Sequence, residues 1–124
     1  MTRRSTNLIV VPAYNEGATI DAVLEDVAAQ APSWDVVVID DGSTDDTAVR
    51  AERRGVRVLR MPFNLGIGGA VQAGFTFALE NGYLRMVQID GDGQHDASQL
   101  SRLEAAMDAD PAVDMVIGSR FLTD

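Results

Sequence analysis

The sequence predicts an α/β fold, a three-layer α/β/α arrangement around a mainly parallel sheet, and two observations lead there. Short, β-branched, continuously apolar runs alternate with helical patterns from end to end, with no linker, repeat or low-complexity tract between them. The polar and glycine residues are also unevenly placed, gathering in the segments that follow the apolar runs. Continuous apolarity suits parallel strands covered by helices on both faces.

Taken in order, the first strand is expected over Asn7 to Val11, followed by Tyr14, Asn15 and Glu16. Ile20, Val23, Leu24, Val27 and Ala31 then recur at helical spacing, giving a helix that packs on the sheet. A second strand spans Asp35 to Ile39 and runs into Asp40, Asp41, Gly42 and Ser43. Ser43-Thr44-Asp45-Asp46 resembles a capping box opening a second helix that Gly55 can close. The third strand, Val56 to Met61, leads through Asn64, Gly66, Gly68 and Gly69 into a helix carrying Ile67, Ala70, Val71, Gly74, Phe75 and Ala78 on one face. Arg85 to Ile89 forms the fourth strand, ahead of Asp90 to Asp96. Leu100, Leu103 and Met107 mark a fourth helix, and Asp114 to Gly118 a fifth strand ending at Ser119 and Arg120. In an open parallel sheet the segments after the strands share the carboxyl edge, where such folds bind ligands.

At 124 residues the chain is expected to form one domain, 1–124, with an ordinary core. It has no cysteine, which excludes disulfides and thiolate metal sites and fits a reducing compartment, with the cytoplasm as the default. Net charge is −9 and every basic residue is an arginine, so the overall field repels nucleic acid and anionic headgroups. Any phosphate must be held locally. The apolar run after Arg3-Arg4 stops at Pro12, too short for a signal peptide. Met61 to Leu79 carries no formal charge, but Pro62, Asn64, Gln72, Thr76 and its glycines argue for a buried helix over a membrane span.

The segment richest in chemistry is Ile89-Asp90-Gly91-Asp92-Gly93-Gln94. Side chains two apart on extended backbone point the same way, so Asp90, Asp92 and the amide oxygen of Gln94 can offer hard oxygen ligands to Mg2+ or Mn2+. Asp-Gly-Asp also makes ordinary turns, and both readings stand at this point. An EF-hand loop fails, because its diagnostic positions hold Gln94, His95 and Ser101. Adjacent Asp40 and Asp41 suit the hydroxyl and N–H donors of a nucleoside, or a helix N-terminus. For Asp45 and Asp46 the helix dipole suffices. The glycines after Asn64 permit close approach by a ligand or by another strand. They match the dinucleotide fingerprint poorly, since Val71 stands where Gly or Ala is required. Tyr14 can stack on a base or cover the sheet edge, and Arg120 can meet phosphate oxygens or pair with an acid. His95 is the lone histidine, so no triad or histidine metal cluster can be assembled from this chain.

With these segments placed, the chain resembles the nucleotide-binding part of a GT-A glycosyltransferase of family 2, in the branch of polyprenyl (dolichyl) phosphate mannosyltransferases. Val11-Pro12-Ala13-Tyr14-Asn15-Glu16, Ile39-Asp40-Asp41-Gly42-Ser43-Thr44-Asp45, Asn64-Leu65-Gly66-Ile67-Gly68-Gly69-Ala70, Asp90 to His95 and Ile117-Gly118-Ser119-Arg120-Phe121 carry the resemblance. It implies a Rossmann-like, nucleotide-diphospho-sugar transferase sheet, truncated after about five strands. A GDP- or UDP-linked sugar would lie along the cleft, with Pro12, Tyr14, Glu16, Asp40, Asp41, Asn64, Gly68 and Asp90 binding it. Asp90, Asp92 and Gln94 would hold Mg2+ or Mn2+, and Asp92 and Arg120 would act in catalysis. The reaction implied is inverting transfer to an acceptor such as a polyprenyl phosphate, at the cytoplasmic face of a membrane where the protein is peripheral. The alternative is a nucleotide-sugar-binding module without turnover. A receiver domain fits poorly, since it resembles this pattern only with a late lysine that the chain lacks. Because the family's domain continues past the position of Asp124, uncovered sheet edge or apolar surface is expected to drive a homodimer.

Overall fold

The computed structural model describes residues 4–91. Within them the order is β1 (Asn7–Ala13), α1 (Ile20–Gln30), β2 (Asp35–Asp40), α2 (Thr47–Arg53), β3 (Arg57–Arg60), α3 (Gly66–Glu80) and β4 (Arg85–Gln88). All pairings are parallel and the strands lie in the order β3-β2-β1-β4. The expected fifth strand and fourth helix lie outside the described residues, as do Asp92, Gln94, His95 and Arg120.

Burial explains why the strand runs are uniformly apolar. Ile9, Val11, Val38 and Val87 face α1, packing with Ile20, Val23, Leu24 and Val27. Leu8, Val10, Val37, Ile39 and Met86 face the other way, against Ala70, Phe77 and Ala78 of α3. Both sheet faces are therefore dry, and neither leaves a polar alternation in the sequence. Gly74 brings α3 close to β1, since a Cβ there would stand 2.5 Å from Cγ1 of Val10.

Several expected boundaries shift. β1 and β2 run further than expected, and Pro12 pairs with Ile39 inside β1. That proline, near the strand's end, contributes its carbonyl, which accepts the N–H of Gly91 at 3.2 Å. β3 is shorter than expected, with exposed arginines at both ends and half-buried Val58 and Leu59 between them, as suits an edge strand. The capping box does not form. The Ser43 hydroxyl accepts the N–H of Asn15, 2.9 Å, and it is Asp45 that accepts the N–H of Thr47, 3.0 Å, at the start of α2. Gly55 does close that helix, at φ +82°, with its N–H on the carbonyl of Glu52. α3 is buried along one face only: Ala70, Gly74, Phe77 and Ala78 pack inward, while Ile67 is 61% exposed, against the expectation that it packs on the sheet. No helix among the described residues is long and apolar enough to cross a membrane.

Candidate functional site

In the order β3-β2-β1-β4, the chain winds one way from β1 to β3 and then crosses back to β4 beside β1. The carboxyl ends of β1 and β4 thus flank the topological switch point, where the two connections diverge and leave a crevice. A cleft of about 370 Å³ opens there, lined by Pro12, Ala13, Tyr14, Glu16, Asp41, Asn64, Gly66, Ile67, Ala70, Asp90 and Gly91. Of the binding residues expected from sequence, Pro12, Tyr14, Glu16, Asp41, Asn64 and Asp90 meet in this cleft.

Asp40 and Gly68 are not among its lining residues. Asp40 is buried below the surface, where its carboxylate accepts the N–H of Ser43 at 3.1 Å. It shapes the turn after β2. A Cβ on Gly68 would meet nothing within 4 Å, so close packing does not explain that glycine. Gly42 has a different cause. It holds φ +77°, and a Cβ there would lie 2.6 Å from the backbone of Phe63 and Asn64, so the segment after β3 crosses directly over it.

Asp41 is 4% exposed and accepts the N–H groups of Leu65 (2.8 Å, on Oδ1) and Gly66 (2.9 Å, on Oδ2). A carboxylate from the end of β2 therefore caps the positive end of α3. Helix capping and the cleft wall are combined in one side chain, so the helix-terminus reading of the acid pair holds for Asp41. Tyr14 is 44% exposed, its ring offering an accessible face at the rim.

The turn after β1 is tied to the turn after β2 by side chains. Asn15, at φ +52°, accepts the N–H of Thr44 (2.8 Å) on its amide oxygen, a left-handed conformation that asparagine tolerates. The N–H of Glu16 donates to the Thr47 hydroxyl (2.9 Å) and that of Gly17 to Asp45 Oδ2 (3.0 Å). A close hydrogen bond from the Thr47 hydroxyl, followed by backbone N–H donors, holds the Asp45 carboxyl below the usual aspartate range.

Asp90 stands where the chain leaves β4. Its Oδ1 accepts the side-chain amide of Gln88 at 2.7 Å. The following glycine sits in a tight place, since a Cβ on Gly91 would lie 3.1 Å from the Cβ of Ala13. The Gly91 carbonyl accepts the hydroxyl of Thr19 at 2.7 Å. Neither Thr19 nor Gln88 stood out in the sequence. The only signal at Thr19 was its place just before the first periodic residue of a helix, yet its side chain makes no cap bond. Among the described residues no three His, Cys, Asp or Glu side chains converge to hold a metal ion. Asp90 is a hard oxygen donor in the cleft, a chemistry that fits Mg2+ or Mn2+ as one member of a set.

Residues 8–124 match the family model for glycosyl transferase family 2. The chain is 36% identical over 121 residues to a polyprenol monophosphomannose synthase of Mycolicibacterium smegmatis, covering 93% of this chain and 45% of that one. Against an undecaprenyl-phosphate mannosyltransferase of Micrococcus luteus the identity is 40% over 118 residues, covering 91% and 47%. Glucosyl-3-phosphoglycerate synthase of Mycobacterium tuberculosis, solved with Mn2+, uridine diphosphate and glucosyl-3-phosphoglycerate, superposes at a TM-score of 0.67 with 30% identity, covering 84% of this chain and 39% of that one. The chain thus spans about half the length of the curated relatives it matches. A parallel sheet with its cleft at the switch point, GT-A structural neighbours and a match over nearly the whole sequence agree: this chain belongs to glycosyl transferase family 2.

Proposed function

We propose that residues 1–124 form the donor-binding part of a glycosyltransferase that takes a sugar from a nucleoside diphosphate and passes it to an acceptor, a polyprenyl phosphate. The observation that carries this reading is the cleft at the β1/β4 switch point, which gathers Tyr14, Glu16, Asp41, Asn64 and Asp90. Tyr14 would stack on the base. Glu16 and Asn64 would supply polar contacts to the nucleoside, and Asp41 would both wall the pocket and steady the first turn of α3. Asp90, with Asp92 and Gln94, would hold Mg2+ or Mn2+. Such an ion neutralises charge developing on a leaving diphosphate. Mn2+ and uridine diphosphate in a structural neighbour support a metal-assisted donor site, and the names of the mannosyltransferase relatives support the lipid-phosphate acceptor.

A phosphate acceptor is already anionic near neutral pH, so positioning and charge neutralisation would carry an inverting displacement without a strong base. Arg120 would pair with phosphate oxygens. The protein would work peripherally at the cytoplasmic face of a membrane, as a homodimer. A binding module without turnover is the second reading.

Calorimetric titration with UDP and with GDP, each with and without Mn2+, tests the donor site. Mn2+-dependent binding of one nucleotide is expected, and binding of neither overturns the reading. Transfer from the matching nucleotide sugar to a polyprenyl phosphate then separates enzyme from binding module. A monomeric mass in light scattering at high concentration would remove the dimer.

A further inference from the structure

We propose that Thr19 and Gln88 are positioning residues that clamp the Asp90-Gly91 turn from two sides and so set the affinity of the donor site for its divalent ion. This rests on the assignment of Asp90 to that ion made above. The Thr19 hydroxyl has one proton and three oxygens within reach: the Gly91 carbonyl at 2.7 Å, the Glu16 carboxylate at 3.2 Å and the Glu16 carbonyl at 3.3 Å. The shortest contact takes it. That bond joins segments separated by 72 positions, tying the turn after β4 to the entrance of α1.

On the other side, Gln88 donates its side-chain amide to Asp90 Oδ1 at 2.7 Å. Its orientation follows from chemistry, because an ionised carboxylate only accepts. Backbone and side chain of the turn are thereby fixed separately, the carbonyl of Gly91 by Thr19 and the carboxylate of Asp90 by Gln88. Gly91 adds a third constraint, since a Cβ there would stand in tight contact with Ala13 (3.1 Å) and the Pro12 carbonyl (3.4 Å). A carboxylate held by a neighbouring donor meets an incoming cation in one orientation, so less ordering remains at binding.

The test replaces Thr19 with valine, which keeps the shape and removes the hydroxyl, and with serine, which restores it; Gln88→Leu removes the amide. Mn2+ is titrated into each chain at saturating UDP or GDP, whichever the unaltered chain binds, following free Mn2+ by electron paramagnetic resonance. Thr19→Val and Gln88→Leu should weaken Mn2+ binding about tenfold or more, with the circular dichroism spectrum of the parent retained. Thr19→Ser should return the parent value. A folded Thr19→Val and Gln88→Leu that bind Mn2+ like the parent overturn the clamp while leaving the donor site intact. No Mn2+ binding by the parent overturns both. Should Thr19→Val fail to fold by circular dichroism, Gln88→Leu decides alone.

Discussion

The two ends of β2 carry carboxylates with similar partners and different consequences. At the amino end Asp35 accepts the Tyr83 hydroxyl (2.6 Å) and the N–H groups of Arg4 (3.0 Å) and Ser5 (3.3 Å). Just past the carboxyl end, Asp41 accepts two N–H groups from the start of α3. Each carboxylate ties down backbone N–H groups of another segment. Shape separates them. The opening at the amino edge is larger, about 650 Å³, and is lined by Arg4, Trp34, Asp35, Val36, Gly55, Val56 and Arg57. It lies at the opposite edge from the crossover, so no pair of diverging connections frames it, whereas the smaller carboxyl-edge cleft sits between β1 and β4. Volume alone would point to the amino edge; topology points to the end where five expected binding residues stand around Pro12.

The sharpest way to break the comparison is at Gly42. Substitution to alanine meets both a positive φ and backbone atoms at 2.6 Å, so neither a rotamer change nor a side-chain shift relieves it. We expect a loss of about 3 kcal/mol or more in urea unfolding, combining backbone strain and overpacking. A loss below about 1 kcal/mol would mean that the segment 62–64 moves away freely and that the cleft wall is soft.

Next come the two carboxylates themselves. Asp41→Ala strands the N–H groups of Leu65 and Gly66 and should cost about 2–3 kcal/mol, with nucleotide affinity lost as well. Asp35→Ala should cost about 2 kcal/mol by the same physics, yet leave nucleotide affinity unchanged, because its partners lie at the amino edge. Equal effects of the two on binding would erase the distinction between the ends.

Much of this was legible in the sequence because burial on both faces writes an unbroken apolar run, as in Leu8 to Val11 and Val36 to Ile39. Where one side of an element faces a cleft, the code degrades. Ile67 follows the helical period and yet lines the cleft, since an apolar position reads the same whether it meets a core or a pocket. Pro12 was read as a stop, but a strand tolerates proline near its end, where its carbonyl still accepts the N–H of Gly91. Thr19 could not be read at all: its acceptor is a backbone carbonyl far along the chain, and no pattern of residue types records that contact. The cluster after β2 was placed correctly as a polar turn, while its division of labour, Asp40 shaping, Asp41 capping and Asp45 bridging, follows only from geometry.

The smallest expected effect concerns Asp45, which ties the turn after β1 to the start of α2. Its folded carboxyl is held below the unfolded value, chiefly by the Thr47 hydroxyl. A depressed carboxyl contributes stability above the unfolded pKa, and that contribution is lost as pH falls through the folded one. Stability should therefore decline from about pH 4 downward, and Asp45→Asn should flatten part of that decline. The side chain is exposed, so solvent screens the effect and the change in melting temperature should be well below that of Asp41→Ala. Thermal melts of parent and variant between pH 3 and pH 6 measure it, and parallel curves would show that the tie between the two turns is carried by Asn15 and the backbone instead.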